Sequence, residues 1–132
     1  NFSMPLIRYQ VEDIATFSDN SQFGVPKISQ INGRINSIIT TNHARLDSTA
    51  LTTSFYEYKS ITQYQFIQKT KTHFILRVII YDQNMWERDK DDLLNRFKKI
   101  LGEDITIDFV TEKEILPSKS GKYLYIISEV TE

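Results

Sequence analysis

The sequence predicts an α+β domain, on three observations. Residues 61–68 alternate aromatic with mainly polar side chains, and residues 73–81 repeat apolar side chains at every second position, which is the period of β-strands. Residues 85–101 carry an apolar stripe at helical spacing. The chain has 132 residues, of which 40% are hydrophobic, and this is enough for one domain with a real core.

The first third of the chain is less regular. Residues 6–11 predict a short strand, and residues 18–26 contain many turn-forming residues and predict a loop. The chain opens at Asn1 without a charged leader or a disordered run-in. We interpret it as a piece of a longer protein, with a processed N-terminus as the alternative.

A better patterned stretch follows Gly33. A strand at 36–40 is expected to return after a hairpin turn at 41–44. Residues 49–58 then place apolar side chains at helical spacing after a possible N-cap in Asp47-Ser48. These features predict a β-hairpin followed by a short helix.

The strands at 61–68 and 73–81 are the clearest in the chain, and the second is apolar on both faces, so we expect it to be central. Two further strands are predicted at 104–110 and 123–128, with a turn-rich loop at 117–121 before the last one.

The strongest helix is predicted at 85–101, with Asn84 as its N-cap and Glu87 as the acid of a capping box. Gly102 is expected to end the helix in the left-handed αL conformation. The residues expected to face the core are Trp86, Leu93, Leu94, Phe97, Ile100 and Leu101. From residue 36 the order is β, α, β, β, α, β with a terminal strand added, which is a split βαβ, or ferredoxin-like, plan.

Composition excludes several classes of partner. Lys and Arg total 16 against 17 Asp and Glu, so no basic excess favours nucleic acid or an anionic membrane. The chain has no cysteine, which excludes disulfides and thiolate metal sites and fits a reducing cytosol. We found no apolar run of membrane-spanning length and no signal peptide. We therefore expect a cytoplasmic protein without nucleic-acid or membrane partners.

Most kinds of catalytic site find little support in the sequence. His43 and His73 lack a second ligand at metal spacing, so no metal site is predicted. There is no G-x-S-x-G elbow for a serine hydrolase, and Lys122 lacks the upstream glycine of a P-loop. The acidic run at 87–92 is typical of a solvated helix face. The strand at 74–78 lacks the aromatic and basic pattern of RNA-binding strands.

Three separated segments together resemble one family. Residues 4–13 (MPLIRYQVED) are similar to the P-L-I-R-Y-x-x-G-D segment of adenylate-forming enzymes. Residues 33–36 (GRIN) are similar to their G-R-x-D hinge, and residues 117–122 (PSKSGK) to their P-x-x-x-G-K lysine motif. Taken alone, residues 117–122 are typical of a solvated turn.

The order and spacing of the segments resemble the phenylacetate-CoA ligase branch, which includes CapK-type proteins of capsular polysaccharide biosynthesis. Residues 61–65 (ITQYQ) also resemble the I-x-Q-Y-Q strand of that branch. Two positions and one segment depart from the pattern. Glu12 replaces a glycine, Asn36 replaces the hinge aspartate, and residues 21–24 stand where many relatives carry a C-x-C-G cluster.

The resemblance implies that residues 1–36 are the end of a large N-terminal adenylation domain plus the hinge. Residues 37–132 would be its mobile C-terminal domain. The parent would be an ATP-dependent acid–thiol ligase of the acyl-CoA type, acting on a small carboxylic acid. It would use ATP and AMP, Mg²⁺ held outside this chain, and CoA as the thiol acceptor. The upstream large domain would be the main partner, and the fragment alone would be inactive.

The resemblance also implies the roles of four residues. Lys122 would be the catalytic lysine for carboxylate adenylation. Asp13 would accept hydrogen bonds from the ribose hydroxyls, and Arg34 would lie near the ribose or phosphate. Asn36 would absorb the rotation between two domain poses. The alternative is a non-catalytic split-βαβ module that binds a small ligand or a partner through its sheet face.

Overall fold

The computed structural model describes residues 13–18, 24–34, 38–118 and 121–130, without the side chains of residues 13–14 and 32–34. The elements in chain order are β1 (Asp13–Ser18), β2 (Lys27–Arg34), β3 (Ile38–Thr40), β4 (Arg45–Asp47), α1 (Thr49–Phe55), β5 (Ile61–Gln68), β6 (His73–Ile80), α2 (Gln83–Leu101), β7 (Thr106–Thr111) and β8 (Ile126–Ser128). The strand predicted at 6–11 lies outside the described residues.

The chain divides into two compact units, residues 1–36 and 37–132. In the first unit, β1 and β2 pair antiparallel, with Asp13 opposite Arg34 and Ser18 opposite Lys27. The sequence did not predict either strand, and the loop predicted from residue 18 begins one residue too early, because Ser18 ends β1. The register shifts twice within this pair, and these irregularities break the period-2 pattern that identifies a strand.

The second unit is built on a four-stranded mixed sheet in the order β7-β6-β5-β8. Strands β5 and β6 pair antiparallel, while β6–β7 and β5–β8 are parallel. Strand β6 is central, as predicted from its two apolar faces, and the α+β class is confirmed. Strands β6 and β7, which precede and follow α2 in the sequence, are direct neighbours in this sheet. The hairpin β3–β4 forms a separate two-stranded sheet.

Alternation along the strands directs one face of the sheet into the core. Phe66 on β5 and Phe97 on α2 are fully buried, with ring centroids 5.0 Å apart. Phe55 at the end of α1 packs edge-on against Phe97 at 5.3 Å. The predicted burial of Phe97 is confirmed, and these three rings join both helices to the sheet.

Helix α2 begins at Gln83, two residues before its predicted start. Its N-cap is Asp82, whose Oδ1 accepts a hydrogen bond from the backbone N–H of Met85 at 2.9 Å. The prediction of Asn84 as N-cap is therefore wrong, and so is the capping box. Glu87 instead accepts a hydrogen bond from the Gln83 side chain at 2.8 Å. Aspartate and asparagine cap helices equally well, so their order in the sequence does not decide which one is used.

Three element ends also differ from the prediction. Gly102 ends α2 with φ +117° and ψ +150°, a positive-φ conformation that is not αL. Helix α1 ends at Phe55 rather than at residue 58, and β8 spans only the last three of the six residues predicted at 123–128. Among the residues described, no helix is long and apolar enough to cross a membrane.

Candidate functional site

Lys122 lies at the end of a closed turn. The backbone N–H and the hydroxyl of Ser118 both donate to the Lys122 carbonyl oxygen, at 2.9 and 2.8 Å. The N–H of Gly121 donates to the Ser118 carbonyl oxygen at 2.8 Å, and Gly121 adopts φ +77°, which favours glycine. The Lys122 side chain is exposed. The turn therefore fixes the backbone of Lys122 while its ammonium group stays accessible.

The chain after Lys122 is held by β5. The Tyr123 hydroxyl donates to the Tyr64 carbonyl oxygen at 2.7 Å, and Nε2 of Gln65 donates to the Leu124 carbonyl oxygen at 3.0 Å. Burial raises the pKa of Tyr123, so its hydroxyl keeps the proton that it donates. Two consecutive residues after the lysine are thus tied to one strand.

The chain before the turn is held by the same strand. Nε2 of Gln63 donates to the carbonyl oxygen of Ile115 at 3.3 Å, and the Ile115 side chain is itself buried. Strand β5 therefore contacts the chain on both sides of the segment 117–122.

Gln65 is locked by a second contact. Nη1 of Arg77 donates to Oε1 of Gln65 at 3.0 Å. Arg77 is in turn held by Glu112, whose Oε1 accepts from Nε and Nη2 at 3.1 and 3.0 Å. Because the oxygen of the Gln65 amide faces a guanidinium, its NH₂ group must face the Leu124 carbonyl.

The two predicted nucleotide-binding residues lie opposite each other. Asp13 and Arg34 are register partners at one end of the β1–β2 hairpin. Directly opposite residues of an antiparallel pair are about 4.5–5.5 Å apart at their Cα atoms. The hinge residue Asn36 lies outside the described residues. Lys122 belongs to the other compact unit of the chain.

The hairpin β3–β4 is attached to the loop after α2. Nδ2 of Asn42 donates to Oδ2 of Asp104 at 3.0 Å, and Nε2 of His43 pairs with Oδ1 of the same carboxylate at 3.0 Å. The Asn42 hydrogen bond, with a further contribution from His43, lowers the pKa of Asp104. The sequence predicted the hairpin turn but not its partner.

Neither histidine belongs to a metal site in the described part of the chain. His43 pairs with Asp104, and His73 on β6 pairs with Asp108 on β7 at 2.8 Å. Within residues 13–18, 24–34, 38–118 and 121–130, no group of three or more His, Cys, Asp or Glu side chains could hold a metal ion.

A cavity of about 350 Å³ lies where α1 leads into β5. Four aromatic rings line it, including those of Phe55, Tyr58 and Tyr64, together with Lys59. Burial raises the pKa of Tyr64 to about 12. The cavity could hold a small, mainly apolar ligand, and the sequence did not indicate it.

The fold resembles that of adenylate-forming ligases. One similar structure is an open conformation of 2-hydroxyisobutyryl-CoA ligase in complex with 2-HIB-AMP and CoA, with a TM-score of 0.52 and 15% identity over 88% of this chain and 27% of the ligase. Another comes from studies of fatty acyl-adenylate ligases from E. coli and L. pneumophila, with a TM-score of 0.55 and 16% identity over 86% of this chain and 20% of that one. The chain thus spans just over a quarter of the first ligase and a fifth of the second, and its α+β fold matches their C-terminal domains.

The family itself is identified by sequence. The family described as the CapK C-terminal domain matches residues 38–129, which is more than half of the chain. The chain therefore belongs to the CapK C-terminal domain family. A search among curated protein sequences found no match.

The contacts made by the glutamines were missed from the sequence, although a signal was present. Gln63, Gln65 and Gln68 lie in a strand that is otherwise apolar or aromatic at most positions. Gln65 is 7% exposed and Gln68 is fully buried. Because buried amides are almost always hydrogen-bonded, glutamines in a central strand indicate polar partners elsewhere in the chain.

Proposed function

We propose that this chain is the C-terminal part of an AMP-forming acid–thiol ligase of the acyl-CoA type, in which Lys122 is the catalytic lysine. The observation that carries the proposal is the turn 117–122. It presents an exposed lysine on a fixed backbone, in a domain of the CapK C-terminal family. This is the arrangement that a lysine needs to reach a substrate held by another domain.

Residues 37–132 are then the mobile small domain, and residues 1–36 are the end of the large domain together with the hinge. The division of the chain into compact units at residue 36 is consistent with this assignment. The large domain, the acyl pocket and the Mg²⁺ ligands lie upstream in the same protein. The 132-residue chain alone is inactive in this account.

The first half-reaction joins a small carboxylic acid to AMP and releases pyrophosphate. The carboxylate attacks the α-phosphate of ATP, so two anions approach each other. The Lys122 ammonium neutralises charge on both as the new oxygen–phosphorus bond forms. Lysine suits this role because it is a compact charge on a flexible stem.

The nucleotide is held partly by β1–β2. The Asp13 carboxylate accepts hydrogen bonds from the ribose hydroxyls, and Arg34 contacts the ribose or phosphate. Their opposed positions in the hairpin support a shared ligand. Asn36 absorbs the backbone rotation that moves Lys122 away before the acyl group passes to the thiol.

The thiol acceptor is CoA, and the setting is cytoplasmic capsular polysaccharide biosynthesis. The 2-hydroxyisobutyryl-CoA ligase of similar fold was solved with an acyl-adenylate and CoA bound, which supports ATP and CoA as the cofactors here.

The proposal is tested on the intact parent protein by ATP–pyrophosphate exchange across a panel of small carboxylic acids. We expect exchange that depends on one class of acid and on Mg²⁺. The absence of exchange with every acid tested would contradict the proposal. Calorimetry on the 132-residue chain is expected to show no micromolar affinity for ATP.

The second candidate function is that of a non-catalytic module that binds a small ligand or a partner. The aromatic cavity between α1 and β5 favours it. In that case, a small aromatic compound would raise the melting temperature of the chain, Tyr64→Ala would abolish the increase, and the intact protein would show no exchange.

A further inference from the structure

Three hydrogen bonds close the turn that carries Lys122. Its internal hydrogen bonds join Ser118, Gly121 and Lys122 to one another. They fix the shape of the turn but not its position relative to the sheet. Hydrogen bonds made just before and just after the turn tie the chain to strand β5 of the sheet.

The Tyr123 hydroxyl makes one of these contacts with the Tyr64 carbonyl oxygen, and two glutamines on β5 make the others. Gln63 donates to the carbonyl oxygen of Ile115, before the turn, at 3.3 Å. Gln65 donates to the carbonyl oxygen of Leu124, after the turn, at 3.0 Å. Both side chains lie on the sheet face opposite the helices, since alternate residues of a strand share a face.

Of the two glutamines, Gln65 has the more firmly held side chain. It is 7% exposed, and Arg77 holds its amide oxygen at 3.0 Å. Glu112 holds Arg77 through two nitrogen atoms, so the amide of Gln65 cannot turn over without losing contacts at both ends. Hydrogen bonds therefore link Glu112, just after β7, to Arg77 on β6, then to Gln65 on β5 and finally to Leu124.

We propose that Gln65, assisted by Gln63, is a positioning residue for Lys122. The inference rests on the proposed function, because it assigns the glutamines a role in the adenylation half-reaction. Gln65 contacts neither substrate nor nucleotide. It acts by holding Leu124, and through Leu124 the backbone at Lys122, at the height above the sheet that adenylation requires.

The matched test is Gln65→Glu in the intact parent protein. Glutamate has the same shape and keeps the contact with Arg77, but it presents an oxygen to the Leu124 carbonyl oxygen and cannot donate to it. We expect ATP–pyrophosphate exchange to fall about 10- to 100-fold, the scale of a misplacement of about 1 Å. Thioester formation from preformed acyl-adenylate should change by less than about twofold, because Lys122 has then rotated away.

Two variants separate positioning from general loss of stability. Ser60→Ala removes a different buried hydrogen bond, from the Ser60 hydroxyl to Asp89 at 2.6 Å, and leaves the turn untouched. It should lower the melting temperature and leave both half-reactions unchanged at a temperature well below the melt. Gln63→Glu, at a half-buried position, should lower exchange in the same direction as Gln65→Glu, and it serves as the second variant if Gln65→Glu does not fold.

Hydrogen exchange gives a readout that does not depend on activity. The Gly121 N–H is bonded within the turn, so we expect it to exchange about tenfold faster in Gln65→Glu and at the wild-type rate in Ser60→Ala. An unchanged Gly121 rate in Gln65→Glu would overturn the proposed support of the turn. Two results would overturn the positioning role alone. One is an equal loss in both half-reactions of Gln65→Glu. The other is no loss in either half-reaction of Gln65→Glu while Lys122→Ala still abolishes exchange. If Lys122→Ala leaves exchange unchanged, the proposed function fails and the positioning role with it.

Discussion

The side-chain amide of Gln68 forms two hydrogen bonds with the backbone of Thr40. Its Nε2 donates to the Thr40 carbonyl oxygen at 2.6 Å, and its Oε1 accepts from the Thr40 N–H at 3.3 Å. The hydroxyl of Ser128 on β8 donates to the same Oε1 at 2.8 Å. One fully buried side chain on β5 therefore joins β3 and β8, so the hairpin β3–β4 is fixed to the four-stranded sheet.

Replacing this amide should be costly. Gln68→Leu keeps a similar volume but removes the partners of the Thr40 backbone and the Ser128 hydroxyl. We expect the free energy of unfolding to fall by about 2–4 kcal/mol, because polar groups are left unpaired away from water. Urea unfolding measures it. Thr62→Ala, an exposed hydroxyl on the same strand, should change stability by less than about 0.5 kcal/mol, and equal losses for the two variants would contradict this role of Gln68.

Gly102 has both a conformational and a steric requirement. It adopts φ +117°, and a Cβ placed there would collide with the His43 imidazole and lie 2.9 Å from Oδ1 of Asp104. We expect Gly102→Ala to lower the free energy of unfolding by about 1–3 kcal/mol. Gly121→Ala is the matched control, since Gly121 also has positive φ but has no atom within 4 Å of the added Cβ.

The collision can be separated from the backbone strain by a double mutant. If the imidazole is responsible for part of the loss, Gly102→Ala should cost less in a His43→Ala background than in the wild type. Additive losses would show that strain alone accounts for the effect.

The contribution of the Asn42–Asp104 contact to stability should depend on pH, because the Asp104 carboxylate must be ionised to make it in full. Its pKa in the folded state lies below its ordinary value of 3.8, mainly because Asn42 donates to it. A depressed pKa means that the pairing stabilises the fold above pH 3.8 and that this contribution is lost as the pH falls through the folded-state pKa. Carboxyl NMR titration should show the low pKa, and Asn42→Ala should raise it. A wild-type pKa at the ordinary value would contradict the contact.

The core assignment is tested at Phe97. This ring is fully buried among Phe55 and Phe66, so Phe97→Ala should cost about 3–5 kcal/mol in the free energy of unfolding. Tyr81→Ala, at a side chain that is 77% exposed, should change it by less than about 0.5 kcal/mol. Thermal or chemical unfolding of both variants checks the difference, and a small loss for Phe97→Ala would refute the proposed core.

The parts of the fold that were predicted are those with a strong period. The predicted strands at 61–68 and 73–81 match β5 and β6 to within one residue, and the apolar stripe of α2 faces the core. Periodicity works here because burial on one face of an element constrains every second strand residue and every third or fourth helix residue. Gly102 also marked the end of α2 correctly, because glycine tolerates the positive φ found there, although its conformation is not αL.

The parts that were not predicted depend on contacts between distant residues. Gln65 and Leu124 are 59 positions apart, and Asn42 and Asp104 are 62 apart. The spacing of apolar residues does not indicate which polar groups will form hydrogen bonds with each other. The choice of Asp82 over Asn84 as N-cap was not predicted either, because aspartate and asparagine cap helices about equally well. The motif predicts a site at Lys122, which stays a prediction, while the hydrogen bonds that hold the chain around Lys122 could not be predicted from the sequence.

Lys122 carries the central claim about function. Lys122→Ala should leave the melting temperature unchanged, since the side chain is exposed and the turn is closed by backbone groups. Adenylation should slow by about a hundredfold or more, the scale for removing one electrostatic contact to a transition state. Thioester formation from preformed acyl-adenylate should be less affected.

The most direct measurement is ATP–pyrophosphate exchange by the intact protein in three forms: wild type, Lys122→Ala and Lys119→Ala, each with a thermal melt. Lys119 is three positions earlier in the same motif and controls for a general loss of positive charge. We expect the exchange rate to fall about a hundredfold or more in Lys122→Ala and to stay near the wild-type rate in Lys119→Ala, with equal melting temperatures for all three proteins. Equal exchange rates in all three proteins would contradict the account and leave Lys122 as an ordinary residue of a solvated turn.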